Sequence, residues 1–358
     1  MIQSAIRSAV WDGETLVGAM SAAMAVLETE KATINALNVF PVPDGDTGTN
    51  MALTLQSALE EATSLAPDEA LHAGQVANRL ARGALMGARG NSGVILSQIF
   101  RGFASAIASA DRIDGRQLAG GLAGATQLAY KAVMEPVEGT MLTVIRVAAE
   151  RAASAAEETS DLASVVSAAH AGAREALAET PKLLEILRQA GVVDAGGKGL
   201  VTIFEGWERF VRGDILDRFA HASPDALVGE MAFLDRIDDL HGTDTFGYCT
   251  NFMIFGDRMD VERIRADLIP LGTSTVIVGD DEMVKVHIHT TNPGRVLEVA
   301  IHHGELGQIK IDNMSAQTRD LRAAREARQG AAHAPRVSPV GKQAVLAVAS
   351  GEGLIRAL

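Results

Sequence analysis

Asn38–Asn50 reads NVFPVPDGDTGTN, and an apolar run of helical spacing starts at Met51. Asp44 and Asp46 stand one residue apart around Gly45, and Thr47, Gly48, Thr49 and Asn50 follow. Carboxylate oxygens are hard donors suited to Mg²⁺, which takes a few of them and keeps its other positions for water and substrate phosphates. Gly45 and Gly48 let the backbone turn sharply and come close to a ligand. The loop ends where a helix begins, and the free N–H groups and dipole of a helix N-terminus favour phosphate. Taken alone, the same residues read equally well as a tight Asp-Gly turn followed by an N-cap.

Outward from this loop, residues 1–213 read as helix after helix. Apolar positions recur at three- and four-residue spacings over 15–33, 71–87, 114–134, 139–157, 163–178 and 198–212, with Gly, Pro, Asp and Ser between them. In Arg116–Met134, Leu118, Leu122, Leu128 and Val133 supply bulk. Gly120, Gly121 and Gly124 cost about 1 kcal/mol each against Ala in a helix, and close packing is the expected compensation. Aromatic residues are only 4% and hydrophobic residues 47%, so the core must be Ala, Leu, Val, Ile and Met, which suits closely packed helices. We expect an all-α bundle or helical barrel here.

From about residue 231 the texture changes. Phe246–Phe255 reads as a strand, Val261–Leu268 as a helix, Thr273–Val278 as a strand, Asp280-Asp281 as a turn and Met283–His289 as a strand. Arg295–His303 is helical and Gln308–Ile311 a short strand. The order β-α-β-β-α-β is the split βαβ, ferredoxin-like arrangement, so residues 214–328 are expected to form a smaller α+β domain. Its last helix, rich in Arg and Ala, spans 315–328. Residues 329–343, QGAAHAPRVSPVGKQ, read as a linker. Ala344–Ser350 then resembles the first strand of a third, α/β domain, expected to be cut short within residues 329–358.

A length of 358 residues allows two or three domains. The net charge of −13 excludes broad binding of a phosphate backbone, which needs clustered Lys and Arg, so no nucleic-acid partner is expected. Any phosphate site must draw positive potential locally, from metal ions and helix N-termini. One cysteine, Cys249, rules out an internal disulfide and fits a reducing compartment. No apolar run reaches membrane-spanning length. Leu16–Leu27 has Asp12 and Glu14 ahead of it where a signal peptide has basic residues, so it reads as a buried helix of a cytoplasmic protein.

The first loop has company. Gly87–Gly93, GARGNSG, lies between two helical runs, with Ser92 at a helix start. Asp194–Gly199, DAGGKG, repeats the style, and Pro136–Met141, PVEGTM, is a fourth loop before a helix with Thr140 as a polar contact. None is a Walker A motif, and each alone is explained by helix caps. Together they feed several helix N-termini, which a helical barrel would gather at one end, and a nucleotide triphosphate with Mg²⁺ is the matching ligand. In the second half, His287 and His289 share one face of a strand. If the split βαβ unit closes in its usual order, Cys249 lies on the neighbouring strand. The three then offer the S and N donors that Zn²⁺ favours. A buried free cysteine beside two partly exposed histidines is the alternative.

NALNVFPVPDGDTGTNM resembles the metal-binding loop of the dihydroxyacetone-kinase L-type domain, and GARGNSGVILSQ and DAGGKGL are similar to its nucleotide-contacting segments. Joined to GYCTNFMI, VKVHIHTTNPG and IKIDNMSAQ, the chain resembles the ATP-binding subunits of bacterial fatty acid kinases over most of residues 1–320. The resemblance implies an eight-helix nucleotide domain, a middle domain with a metal site, and a C-terminal domain related to fatty-acid carriers, most of which this chain lacks. It implies ATP-dependent phosphorylation of a fatty acid presented by a separate fatty-acid-binding carrier protein. By the same resemblance Asp44 and Asp46 would hold Mg²⁺, and Thr47, Thr49 and Asn50 would bond the phosphates or the metal shell. Ser92 and Gly93 would cradle the α- and β-phosphates. Thr140, Met141 and Leu142, with Asp194, Ala195, Gly196 and Gly197, would line adenine and ribose. Arg89 would neutralise charge, although a surface arginine reads equally well. The family loop carries an earlier Asp where this chain has Asn35 and Asn38, so Asn38 would serve as a neutral oxygen donor. A homodimer is compatible with the chain. The alternatives are a small-polyol kinase of the dihydroxyacetone type and a non-catalytic nucleotide-sensing protein.

Overall fold

Asp12 opens the first long helix with a capping box: its carboxylate accepts the Thr15 N–H at 3.0 Å, and Thr15 Oγ1 accepts the Asp12 N–H at 2.7 Å. The computed structural model describes residues 10–66, 72–214 and 247–316, all of them within one compact unit, Met1–Thr318. The first described part holds α1 (Gly13–Ala36), α2 (Thr47–Thr63), α3 (Ala73–Gly87), α4 (Gly90–Ala106), α5 (Gly115–Ala132), α6 (Met141–Glu158), α7 (Leu162–Leu183), the short α8 (Glu185–Ala190) and α9 (Ala195–Arg212). Each of α1 to α7 packs on the next, α9 packs on α7, and α9 closes back onto α1, so the eight long helices form a ring as expected.

Small residues let the ring close. A Cβ on Gly206 of α9 would lie 2.3 Å from the Cα of Ala23 on α1. The α4–α5 seam is as tight, with a Cβ on Gly102 placed 2.3 Å from the Gly124 carbonyl oxygen. Gly121 likewise abuts the Phe103 ring, whereas Gly120 meets nothing within 4 Å among the described residues and faces solvent, so of Gly120, Gly121 and Gly124 close packing explains only the last two. The interior is aliphatic around one aromatic group: Trp207 meets Trp11 edge-on at 5.8 Å and Phe204 at 5.4 Å between ring centroids.

Alternation of helix direction sorts the helix ends. At one end Trp11 bridges Ile113, the Ala73 N–H meets the Asp111 carbonyl at 2.9 Å, and the Gly115 N–H meets that of Ser160 at 3.0 Å. The N-termini of α2, α4, α6 and α9 gather at the opposite end, around one cavity.

The second described part is β1 (Tyr248–Phe255), α10 (Val261–Leu268), β2 (Thr273–Gly279), β3 (Met283–Thr290), α11 (Pro293–Ala300) and β4 (Glu305–Asn313). The strand order is β2-β3-β1-β4 with every neighbouring pair antiparallel, the split βαβ arrangement. Both faces of the sheet are covered. On one, Phe252, Ile254, Val284, Val286 and Ile288 pack with Ile264 and Leu268 of α10 and Val296 and Ala300 of α11. On the other, Val276 and Val278 pack against Leu85, Ala88, Val94 and Ala132 of the helical ring. Val133 pairs with Val276 as an isolated bridge, and Arg101 donates to the Gly279 carbonyl at 2.9 Å. The helix expected over 315–328 passes outside the described residues after 316, and the linker at 329–343 and the strand Ala344–Ser350 lie outside them too.

Candidate functional site

The cavity between the ring and the sheet has a volume of about 540 Å³. The α2 loop forms one wall through a buried asparagine. Asn38 Nδ2 donates to the Val42 carbonyl at 2.9 Å, and its Oδ1 accepts from Thr47 Oγ1 at 2.8 Å and from the N–H groups of Asp46 and Thr47 at 3.3 Å each. Asn38 therefore caps α2 from outside the helix. Asp46, at the N-cap position, makes no side-chain cap bond, and its carboxylate lines the cavity beside Asp44. Neither carboxylate has an ion pair with a described cationic side chain. Burial, and then the adjacent charge of Asp46, hold the Asp44 carboxyl well above the usual carboxylate range.

Three more helix starts complete the ring's side. Gly90, at φ 58°, brings the start of α4 against α2: a Cβ there would lie 2.4 Å from Asn50 Nδ2. Asn91 and Ser92 follow it into the cavity. Thr140 caps α6 by accepting the Leu142 N–H at 3.3 Å. Asp194 caps α9 through the Gly197 N–H at 2.7 Å, and burial raises its carboxyl to about 6.

The sheet supplies the facing wall. Cys249 on β1 stands opposite His289 on β3 and Asp312 on β4. The donor atoms of Cys249, His287 and His289 all lie within 4.8 Å of one another, with Cys249 Sγ 3.8 Å from His287 Nδ1. Burial pushes the Cys249 thiol up to about 12, and the carboxylates of Asp44, Asp46 and Asp312 add to the rise. Burial also holds the His287 imidazole well below its ordinary value and brings that of His289 down to about 4, so both rings are neutral and can offer lone pairs. His287 Nε2 is buried without a hydrogen-bond partner among the described residues. Two neutral imidazoles and a thiol therefore meet the acidic side chains of Asp44, Asp46, Glu135, Asp194 and Asp312 at one cavity, where Lys310, paired with Asp312 at 2.6 Å, is the cation among the described lining residues. A bound cation suits this charge balance.

Of the residues singled out in the sequence, Asn38, Asp44, Asp46, Thr47, Asn50, Ser92, Thr140, Met141, Leu142, Asp194, Gly196, Cys249, His287 and His289 line this single cavity. Thr49, Arg89, Gly93, Ala195 and Gly197 do not. Thr49 is turned to α1, where Asn35 Nδ2 donates to its Oγ1 at 3.0 Å and Asn35 Oδ1 accepts its N–H at 3.1 Å. Gly93 sits against α2, a Cβ there falling 2.5 Å from Thr54 Oγ1. Arg89 is exposed at the N-cap of α4, where its charge, after burial, helps lower Lys285 to about 8. The sequence reading passed over Asn251, Lys310 and Asp312. Asn251 is two residues from Cys249 on the same strand face, which was the available signal.

Comparison with known proteins places a DAK2 domain over residues 41–209 and a FakA-like middle domain, of the fatty acid kinase type, over residues 245–321. Protein YloV of Bacillus subtilis (strain 168) is 40% identical over 351 residues, which are 96% of this chain and 62% of that protein. Protein SH1689 of Staphylococcus haemolyticus is 40% identical over 330 residues, 90% of this chain and 58% of its own length. The chain thus spans about three fifths of the length of these relatives. The crystal structure of the dihydroxyacetone kinase from C. freundii in complex with AMP-PNP and Mg²⁺ shares 22% identity over 54% of this chain and 33% of that one, with a TM-score of 0.39. No helix among the described residues is long and apolar enough to cross a membrane.

Proposed function

The chain belongs to the family that joins a DAK2 domain to a FakA-like middle domain of the fatty acid kinase type, and from that premise we propose that it transfers the γ-phosphoryl group of ATP to the carboxylate of a fatty acid. A fatty-acid-binding carrier protein presents the acid, and the product is an acyl phosphate for phospholipid synthesis. The observation that carries this reading is the pair Asp44 and Asp46, turned into the cavity at the start of α2 without an ion pair to a cationic side chain among the described residues.

Phosphoryl transfer needs positioning and neutralised oxygen charge more than covalent help from the protein. Asp44 and Asp46 would hold Mg²⁺, which supplies positive charge to the phosphate oxygens. The N-termini of α2, α4, α6 and α9 converge there, and their free N–H groups favour an anion. Asn50 and Ser92 line the cavity and would bond phosphate oxygens, while Thr140, Met141, Leu142, Asp194 and Gly196 line it and would surround adenine and ribose. Thr47 has its hydroxyl proton committed to Asn38, so it offers only oxygen lone pairs. A carboxylic acid with a pKa of roughly 4 to 5, by analogy with Glu, is ionised at neutral pH, so its attack on phosphorus requires no general base.

Cys249, His287 and His289 fit Zn²⁺: one sulfur and two neutral imidazoles, with one imidazole nitrogen otherwise without a partner among the described residues. Zn²⁺ held there would supply a fixed positive charge opposite the carboxylates of α2.

The purified protein, Mg-ATP, a fatty-acid-loaded carrier and hydroxylamine as a trap test the proposal. Carrier-dependent hydroxamate is expected. Asp44→Asn or Asp46→Asn should lower turnover by about 100-fold or more, as loss of a metal ligand does, with the helical far-UV spectrum unchanged. ADP formed with dihydroxyacetone alone would replace the proposal with a polyol kinase, and tight ATP binding without turnover with a nucleotide sensor.

A further inference from the structure

One buried polar side chain in the cavity wall has a role that neither the carboxylates nor the nucleotide loops explain. Asn251 is 5% exposed, stands two residues from Cys249 on β1 and is the cross-strand partner of His287. Its amide reaches both. Nδ2 donates to Cys249 Sγ at 3.1 Å, and Oδ1 lies 2.8 Å from His287 Nδ1.

A carboxamide oxygen only accepts hydrogen bonds, so His287 Nδ1 must carry the proton in this contact. A neutral imidazole has one N–H, and the proton on Nδ1 leaves a lone pair on Nε2. That is the nitrogen buried without a partner among the described residues. Turning the amide over would make Nδ2 donate to Nδ1 and place the proton on Nε2, a buried N–H with no acceptor among the described residues that no cation could satisfy, whereas a free lone pair is one that a cation can fill. The observed orientation also directs an N–H at the sulfur, which acts as the acceptor in this contact.

We propose that Asn251 is a positioning residue that prepares two ligands at once, holding His287 with its Nε2 lone pair free and Cys249 with its sulfur as an acceptor. This rests on the reading of Cys249, His287 and His289 as a metal centre. Partners of this kind fix the tautomer and ring orientation of a metal-binding histidine, and their loss weakens metal binding about 10–100-fold.

The test uses the whole chain labelled with ¹⁵N in its histidines. In the metal-free wild type, long-range ¹H–¹⁵N correlation should show His287 protonated at Nδ1; protonation at Nε2 would overturn the inference and needs no variant to fold. Zn²⁺ affinity, read by competition with a chromophoric chelator, should fall about 10–100-fold in Asn251→Ala. It should largely recover in Asn251→Asp, which keeps an acceptor for the Nδ1 proton. Equal affinity in wild type and Asn251→Ala overturns the role of Asn251 while leaving the metal centre standing, provided Co²⁺ gives the wild type a sulfur charge-transfer band that Cys249→Ser lacks. If the wild type shows no such band, the metal reading itself fails and this inference fails with it.

Discussion

Asn38 performs the capping that falls to the N-cap residue in most helices, and the substitution of one side chain for another has a consequence for charge. Because Asn38 Oδ1 accepts the Asp46 and Thr47 N–H groups at the start of α2, the Asp46 carboxylate is not committed to a cap and lines the cavity beside Asp44. Asp194 shows the opposite choice, committing its carboxylate to the start of α9 at a cost in desolvation. Burial lifts its carboxyl from an ordinary 3.8 to about 6. Between about pH 4 and about pH 6 the folded chain therefore keeps a proton that the unfolded chain has released. Folding takes up that proton, so this group's contribution is complete below the unfolded value and is lost as pH rises through the folded one. An Asp194→Asn variant lacks the titration. Relative to it, the wild type should gain about 1 kcal/mol of stability when the pH falls from about 7 to about 5. Urea midpoints of both proteins at the two pH values check this, and a gap that does not move with pH would mean that the carboxyl titrates as it does in the unfolded chain.

At the scale of elements, periodicity located the helices, and the capping residues refined them. The helix expected over 198–212 begins at Ala195 because Asp194 caps it, and the one expected from 139 begins at Met141 because Thr140 caps it. The order of the second half was equally legible, since Val261–Leu268 and the four strands around it carry their own periods and turns. What spacing cannot show is which side of a helix meets a neighbour. Gly120, Gly121 and Gly124 look alike in sequence, yet Gly120 faces solvent while the other two sit in a seam. This separates two substitutions of the same kind. Gly120→Ala removes backbone freedom and meets nothing, so it should stabilise α5 by about 0.5–1 kcal/mol. Gly206→Ala gains the same propensity but drives a methyl into the backbone of α1 at Ala23, and should destabilise by about 1–3 kcal/mol in sum. Thermal midpoints moving in opposite directions support the closed ring; a stabilised Gly206→Ala would mean that α9 does not seal against α1.

For the whole molecule, the cavity exists because two segments with separate cores meet. The helical ring is built around Trp207 and its neighbours, and the sheet around Phe252 with α10 and α11. Local sequence could place Asp44 and Asp46 on a loop and Cys249, His287 and His289 on adjoining strands, but not set the two groups across one space. That juxtaposition depends on Val276 and Val278 facing Leu85, Ala88, Val94 and Ala132, residues more than 140 positions away in the chain whose mutual fit leaves no local trace. In the structure β3 is buried along nearly its whole length, on both faces, although its sequence alternates Val284, Val286 and Ile288 with Lys285, His287 and His289, the pattern of a strand with one face in water. Val278 is buried in this contact and does not line the cavity, so it can separate assembly from binding. Val278→Asp places an unpaired carboxylate against Leu85 and Val94, at a cost of a few kcal/mol to that contact. Each segment keeps its own core, so helical content should remain. Mg-dependent ATP binding, which uses the ring's helix N-termini, should stay within a few-fold of wild type by calorimetry. Acyl phosphate formation should fall by about 10-fold or more, because the facing wall that carries Cys249, His287 and His289 loses its seat and the reacting groups lose their alignment. Unchanged turnover would show that the reaction needs only the ring, and an equal loss of ATP binding and turnover would show that the sheet is part of the nucleotide site itself.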